Sequence, residues 1–310
     1  MNWIAVLLLG VLAGCQVVGK PPVTAVAQDA ALPPGLPEWQ SPREREHKRV
    51  GQIIDLRTGA QISPAQLLTE LAAAPVVLLG EKHDNPDHHA LQLWLLQALG
   101  GQRAQGSVVL EMLTVNQQPT VSAVQKQVRA GEIPKDLPQA LEWHKGWDWQ
   151  QYGDLVSYIL AQPYPLLAGN LDRAALMSIY RDPPVLAGLQ STGTEVTERL
   201  HAHIREAHCN KLPEAQLPAM LAVQQQRDRS MAQVILSAAQ PTILLAGAYH
   251  VRYDLGVPLH LADLQDTAEL SQRVLIFAEA DQVIEAKSAD FVWYTPAVAE
   301  QDYCADLEGE

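Results

Sequence analysis

The sequence predicts an α/β protein: a mostly parallel central sheet flanked by helices, with a helical subdomain inserted at about residues 171–237. Three observations carry that prediction. Six short apolar runs recur after Val50: "PVVLLG", "SVVLEM", "YPLLAGN", "PTILLAG", "RVLIFAEA" and "FVWY". Each is continuously apolar rather than alternating, the pattern of strands buried on both faces in a parallel sheet. Longer segments with helical spacing separate most of them, as crossovers between parallel strands require. Between Leu171 and Ser237 the strand signals vanish, leaving helical patterns such as "TEVTERLHAHIREAHC" and "LPAMLAVQQQRDRSMAQVIL".

Taken in order, the chain opens with "MNWIAVLLLGVLAGC". This apolar stretch is too short to span a membrane as a mature helix and reads as a signal peptide over 1–14. Leu12-Ala13-Gly14-Cys15 resembles a bacterial lipobox, although no Lys or Arg precedes the apolar run. That resemblance implies cleavage before Cys15, lipidation of Cys15 and attachment to a lipid bilayer. Gln16 stands where an aspartate would direct retention in the inner membrane, so the outer membrane is the expected location. Residues 15–49 read as a Pro-rich tether: Pro21, Pro22, Pro33, Pro34, Pro37 and Pro42 recur without apolar periodicity. The basic segment Arg43–Arg49 closes it as a solvated juncture. Residues 50–310 then form one α/β domain. Its clearest helix is "NPDHHALQLWLLQALGG", with Asn85 as N-cap, Pro86 in the first turn and Gly100-Gly101 at the end.

Composition narrows the function. At 310 residues and 47% hydrophobic content the chain buries a substantial core. A net charge of −13 without a basic patch excludes nucleic acid as a partner. Export would leave Cys209 and Cys304 in an oxidising compartment, where a disulfide between them is one of two open outcomes.

Chemistry collects where strands end. Glu81 and His83 follow the first run, and Glu111 lies within the second. Asn170, Asp172 and Arg173 follow the third; Tyr249, His250, Arg252 and Asp254 follow the fourth; Glu279 lies in the fifth. Open α/β sheets bind ligands outside the carboxyl ends of their strands, so this recurrence predicts a site there. Two of the turns also match each other. "PVVLLGEKH" and "PTILLAGAYH" both read proline, apolar strand, Gly-x-x-His, which would bring His83 and His250 to one site.

With "GEKHDNPDHH", "WHKGWDWQQYGDL", "AGNLDRA", "QQRDRSMA" and "GAYHVRYDLGVPL" in that order, the chain from about Val50 to Pro296 resembles the ChaN-like haem-binding lipoproteins. These belong to a superfamily with Tiki-type metalloproteases and erythromycin esterase-like hydrolases. The shared signature is two Gly-x-x-His motifs and a strand-end glutamate, matched by His83, His250 and Glu111. Tyr249 is a departure, since many relatives have glycine before that histidine. The resemblance implies haem as cofactor, a role in iron uptake, a homodimer on haem binding and delivery to or from an outer-membrane haem receptor. It also implies a tyrosine on the iron, and a histidine and a lysine on the propionates. Tyr249, Tyr253, Tyr152 and Tyr164 are the candidates for the first role; Lys82 with His83, His88 or His89 for the second. His250 and Arg252 complete the expected binding set. The alternative is a metal-dependent hydrolase built on Glu81, His83, Glu111 and His250, with Asp254 nearby. No HExxH, G-x-S-x-G or usable nucleophilic cysteine accompanies it.

Overall fold

The structure, a computed structural model, describes residues 35–265 and 270–305. The expected signal peptide (1–14), Cys15 and the tether up to residue 34 lie outside those residues. Eight strands form one sheet: β1 (Ile53–Asp55), β2 (Ala60–Ile62), β3 (Val76–Glu81), β4 (Ser107–Thr114), β5 (Leu166–Asn170), β6 (Thr242–Gly247), β7 (Gln272–Glu279) and β8 (Phe291–Thr295). Their order is β2-β1-β8-β7-β3-β6-β4-β5. From β8 to β5 every pairing is parallel; β1 runs antiparallel to both β2 and β8. The six apolar runs are therefore β3 to β8, and the α/β fold class stands. The β1–β2 hairpin was not legible, because three-residue strands carry too little pattern.

Successive strand residues face opposite sides, and each side has its own core. Val77 and Leu79 pack on the face covered by α1 (Pro64–Ala72), α2 (Pro86–Gly100), α3 (Gln118–Arg129) and, beyond the single turn α4 (Leu137–Ala140), α5 (Trp149–Ala161). Leu68, Leu91, Val121 and Tyr152 belong to that core. Val76 and Leu78 pack on the other side with Met231, Ile235, Val257 and Leu261. For an aliphatic side chain, full burial of this kind is worth about 1.5–3 kcal/mol. The chain winds from β3 through β4 to β5 with its helices on the first face. It returns through β6 and β7 with its helices on the second. Loops of neighbouring strands thus leave toward opposite faces at β3/β6 and at β4/β5, which opens crevices at the carboxyl edge.

The expected helical region comprises α6 (Arg173–Arg181), α7 (Thr194–Ala207) and α8 (Leu217–Ser237). Only its distal part is a subdomain with its own core, made by Leu200, Ile204, Leu217, Leu221 and Leu255. The second half of α8 instead covers the sheet through Met231, Ala232 and Ile235. Cys209, just past α7, is disulfide-bonded to Cys304 in the C-terminal tail.

The boundary at residue 49 requires correction. Ser41 is 1% exposed, Trp39 packs on the core, and Arg43 bridges Ala297. The Asp87 carboxylate accepts Gln40 N at 2.6 Å and Ser41 N at 3.1 Å. A proline-rich segment without periodicity reads as a linker, but here its backbone donors are taken up by a buried acid in the first turn of α2.

Candidate functional site

A cleft of about 610 Å³ opens at the carboxyl ends of β3, β6 and β7. Glu81, Lys82, His83, Tyr249, His250, Arg252 and Phe277 line it, together with His203 from α7 and Gln224 from α8. Two carboxylate–histidine clusters form its floor.

The first hangs from β3. Glu81 is buried, and its Oε1 accepts the Tyr152 hydroxyl at 2.8 Å and His83 Nδ1 at 2.9 Å. His89 Nδ1 lies 2.9 Å from the other oxygen. Burial pushes the Glu81 carboxyl up, but His89 and His83 outweigh it and bring it down to about 2. The same carboxylate, with Glu111, raises His83 above its ordinary value against the pull of burial. The second cluster joins β4, α8 and the short helix α9 (Ala248–Val251). Glu111 accepts Gly247 N at 2.8 Å and lies 3.2 Å from His250 Nε2. His250 Nδ1 donates to Asp228. Burial opposes the charge on His250, yet Glu111 and Asp228 raise it to about 10, so it is an imidazolium at neutral pH. Glu111 is held well below the usual carboxylate range by His250 and His83 despite its burial.

Two glycines permit this arrangement. A Cβ on Gly80 would come 2.4 Å from Val251 Cγ2 and 3.0 Å from Ala248 Cα, so only glycine lets α9 fold back on β3. A Cβ on Gly247 would sit 2.8 Å from His83 Nε2. The parallel strands bring Glu81 opposite Gly247, which is why the two turns share one cleft.

The structure thus brings Lys82, His83, Tyr249, His250 and Arg252 to the cleft and removes three expected binders from it. His88 is fully buried. Its Nδ1 accepts Lys82 N at 2.9 Å and its Nε2 bonds Thr295 Oγ1 at 3.0 Å. Burial holds it neutral, down to about 3, and neither nitrogen reaches a ligand. His89 is 4% exposed and braces the turn between Glu81 and the His83 carbonyl, 3.0 Å from Nε2. The first turn of α2 therefore points these histidines inward rather than at an anion. Tyr253 donates its hydroxyl to Asp290 at 2.7 Å, away from the cleft. Of the other tyrosines considered, Tyr152 is 1% exposed and held by Glu81, and Tyr164 lies in the core.

Tyr249 differs. It is 38% exposed, its ring stacks on His203 at 3.3 Å, and its hydroxyl has no hydrogen-bond partner among the described residues. The Arg252 guanidinium lies 5.5 Å from the ring centroid. Arg252 is itself paired with Asp254 at 2.9 Å and, more loosely, with Glu285. The Lys82 ammonium is shared by Asp84 and the Tyr303 hydroxyl. Sequence patterns do not point to His203, Gln224 or Asp228 as site residues. Asp228 sits inside the quoted "QQRDRSMA", but nothing in a helical pattern says that one acid faces a histidine 22 residues later. Among the described residues no group of three or more His, Cys, Asp or Glu side chains is disposed to hold a metal ion.

With this geometry in hand, residues 67–261 match the family described as haem-binding uptake, Tiki superfamily, ChaN. The chain belongs to this family. A structure of cofacial heme binding to ChaN of Campylobacter jejuni is 32% identical, with a TM-score of 0.70, over 78% of this chain and 95% of that one. An erythromycin esterase mutant in its open conformation matches at 14% identity and TM-score 0.42, over 78% of this chain and 77% of that one. A MARTX toxin effector domain from Vibrio vulnificus matches at 12% identity and TM-score 0.42, over 78% of this chain and 39% of that one. No curated protein matches the chain. The ChaN-like segment contains Glu81, His83, Glu111, Asp228 and His250, and so both clusters on the floor of the cleft.

Proposed function

We propose that the protein is an outer-membrane lipoprotein, anchored through Cys15, that binds haem for iron acquisition, with Tyr249 as the iron ligand. The Tyr249 phenol carries this reading: it is exposed at the cleft and free of hydrogen bonds to the described residues. The residues present fit haem. The cleft volume is typical of a small-molecule site, and Phe277, Val283 and Ile284 supply apolar wall. Haem contributes an iron that accepts a phenolate and two propionates that accept hydrogen bonds. Burial raises the Tyr249 phenol above its ordinary value while Arg252 opposes the rise, so the hydroxyl is protonated until a ligand takes the proton's place. His83 Nε2 has no hydrogen bond to the described residues and serves one propionate; Lys82 serves the other once it leaves Asp84. A second copy of the chain would close the site in a homodimer, and an outer-membrane haem receptor would exchange the ligand.

An absorption titration of the chain with haemin tests the reading. Tyr249→Phe should lose the tyrosinate charge-transfer features and at least about tenfold in affinity, or about 1.4 kcal/mol. Phe at Tyr152, Tyr164 or Tyr253 should leave the spectrum unchanged. A wild-type spectrum from Tyr249→Phe would overturn the ligand assignment. For the anchor, Cys15→Ser should abolish incorporation of labelled palmitate.

A second reading, a hydrolase, is favoured by one observation: both histidines are paired with buried carboxylates, Glu81 and Glu111. It predicts that Glu81→Gln lowers esterase or peptidase turnover by ~10²–10⁴-fold. The haem reading predicts no such turnover in the parent chain.

A further inference from the structure

A second cleft, of about 490 Å³, opens at the carboxyl ends of β4 and β5. It is another place where adjacent strands send their loops to opposite faces of the sheet, so the winding of the chain itself creates it. None of the residues lining the first cleft lines this one. Met112, Leu171, Leu176 and Trp147 give it apolar walls.

Two of its polar groups lack partners. Arg227 is half-buried, makes no ion pair or hydrogen bond with any described residue, and has a buried Nε without an acceptor. An arginine left in that state costs free energy that a ligand would recover. Asn170 is 4% exposed, and its Oδ1 accepts Leu171 N at 2.8 Å. The Asn170 amide NH2 has no acceptor among the described residues and is left to the cleft that the residue lines. Two donors without acceptors in one apolar-walled crevice describe an acceptor-bearing ligand.

Charge narrows the class. Arg173 and Arg227 bring two positive charges and Glu142 and Asp172 two negative ones, with Asp172 Oδ1 turned to capping Ala175 N at 2.8 Å. A lining whose formal charges balance suits a monoanion seated on the unpaired Arg227 guanidinium better than a phosphate dianion. The planar guanidinium matches a carboxylate through two parallel hydrogen bonds. We propose that this cleft binds a small amphipathic carboxylate, an aryl- or alkyl-alkanoate, with Arg227 and Asn170 on the carboxylate and Trp147, Met112 and Leu176 around the apolar body.

The inference is independent of the haem assignment. The test is a calorimetric titration of the purified full chain with three probes of one shape: 3-phenylpropionate, the neutral 3-phenylpropanol and the cationic 3-phenylpropylamine. The acid should bind one to one, at least about tenfold more tightly than the alcohol or the amine. Arg227→Gln should weaken the acid by at least about tenfold while the haemin titration of the same variant stays at the parent value. Leu176→Trp fills the cleft and should abolish acid binding; it decides the matter if circular dichroism shows Arg227→Gln to be unfolded. Equal binding of acid and alcohol, preference for the amine, displacement of the acid by haemin, an unaffected Arg227→Gln or no heat up to about 10 mM acid would each overturn the proposal.

Discussion

The two Gly-x-x-His turns leave neighbouring parallel strands, yet they treat their histidines differently. The His250 side chain is 8% exposed and both ring nitrogens face carboxylates, Glu111 and Asp228. The His83 side chain is 40% exposed, and only Nδ1 is engaged, by Glu81 and Tyr152. The motif sets where an imidazole emerges from the sheet. What packs over it sets its surroundings: α8 brings Asp228 down on His250 so that both its nitrogens are engaged, while His83 is left beside Trp147 with a nitrogen to spare. One turn is a buried ionic keystone, and the other presents a partly exposed imidazole that serves as the binding arm in the proposed haem reading.

The sharpest way to break that contrast is to remove an acid from the buried turn. Glu111→Ala strips His250 of one carboxylate and Gly247 N of its acceptor. Taking one partner from a buried charge pair costs about 3–5 kcal/mol. Urea unfolding should show a loss of that size, and a loss under about 1 kcal/mol would mean that His250 is neutral in the folded chain.

Titration separates the turns more gently. His250 is raised from 6.5 to about 10, so the stability it contributes is fully present below pH 6.5 and is lost as pH rises through about 10. Glu81, lowered from 4.5 to about 2, contributes stability that is present above pH 4.5 and lost as pH falls through about 2. The unfolding free energy should therefore fall by up to a few kcal/mol as pH rises from 6.5 to about 10. Asp228→Asn should flatten that decline, and a decline unchanged in this variant would assign it to other groups.

Most of the fold was legible, and the reason is burial. β3 to β8 carry continuous apolar runs because helices cover both faces, and Asn85, Pro86 and Gly101 mark the ends of α2 as local chemistry requires. The site was legible as far as strand ends go: Glu81, His83, Glu111 and His250 do meet. What failed was direction. His88 and His89 sit in a first helical turn, where a surface helix would show them to an anion, but this helix is buried nearly all round and turns them inward. Tyr253 shares a motif with Tyr249, and nothing in that motif separates an exposed phenol from an engaged one. Its partner Asp290 precedes β8 and also accepts the backbone N of Val274 in β7, a contact that only the tertiary fold creates.

Packing distinguishes the two glycines. Gly80→Ala drives a methyl group into a buried valine and the backbone of α9, neither of which yields easily, and overpacking of that kind costs about 1–3 kcal/mol. Gly247→Ala meets the far end of the His83 ring, a 40% exposed side chain that yields by tilting about its Nδ1 contacts more readily than a buried valine or backbone does. The melting temperature should drop more for Gly80→Ala. The reverse order would show that His83 is the more rigid of the two neighbours.

The smallest expected stability effect belongs to the binding arm. His83→Ala removes a side chain that is 40% exposed and one hydrogen bond to Glu81, whose Tyr152 and His89 partners remain. One hydrogen bond is worth about 0.5–1.5 kcal/mol net, and the retained partners spare Glu81 from being left alone, so unfolding should change by about 1 kcal/mol or less. Haem affinity should move further, by roughly 1–3 kcal/mol, because a charge-assisted bond to a propionate is lost. His250→Ala should invert that pattern, with stability falling more than affinity. Urea and haemin titrations run in parallel on both variants decide the point, and equal ratios of affinity loss to stability loss would erase the division of labour between the turns.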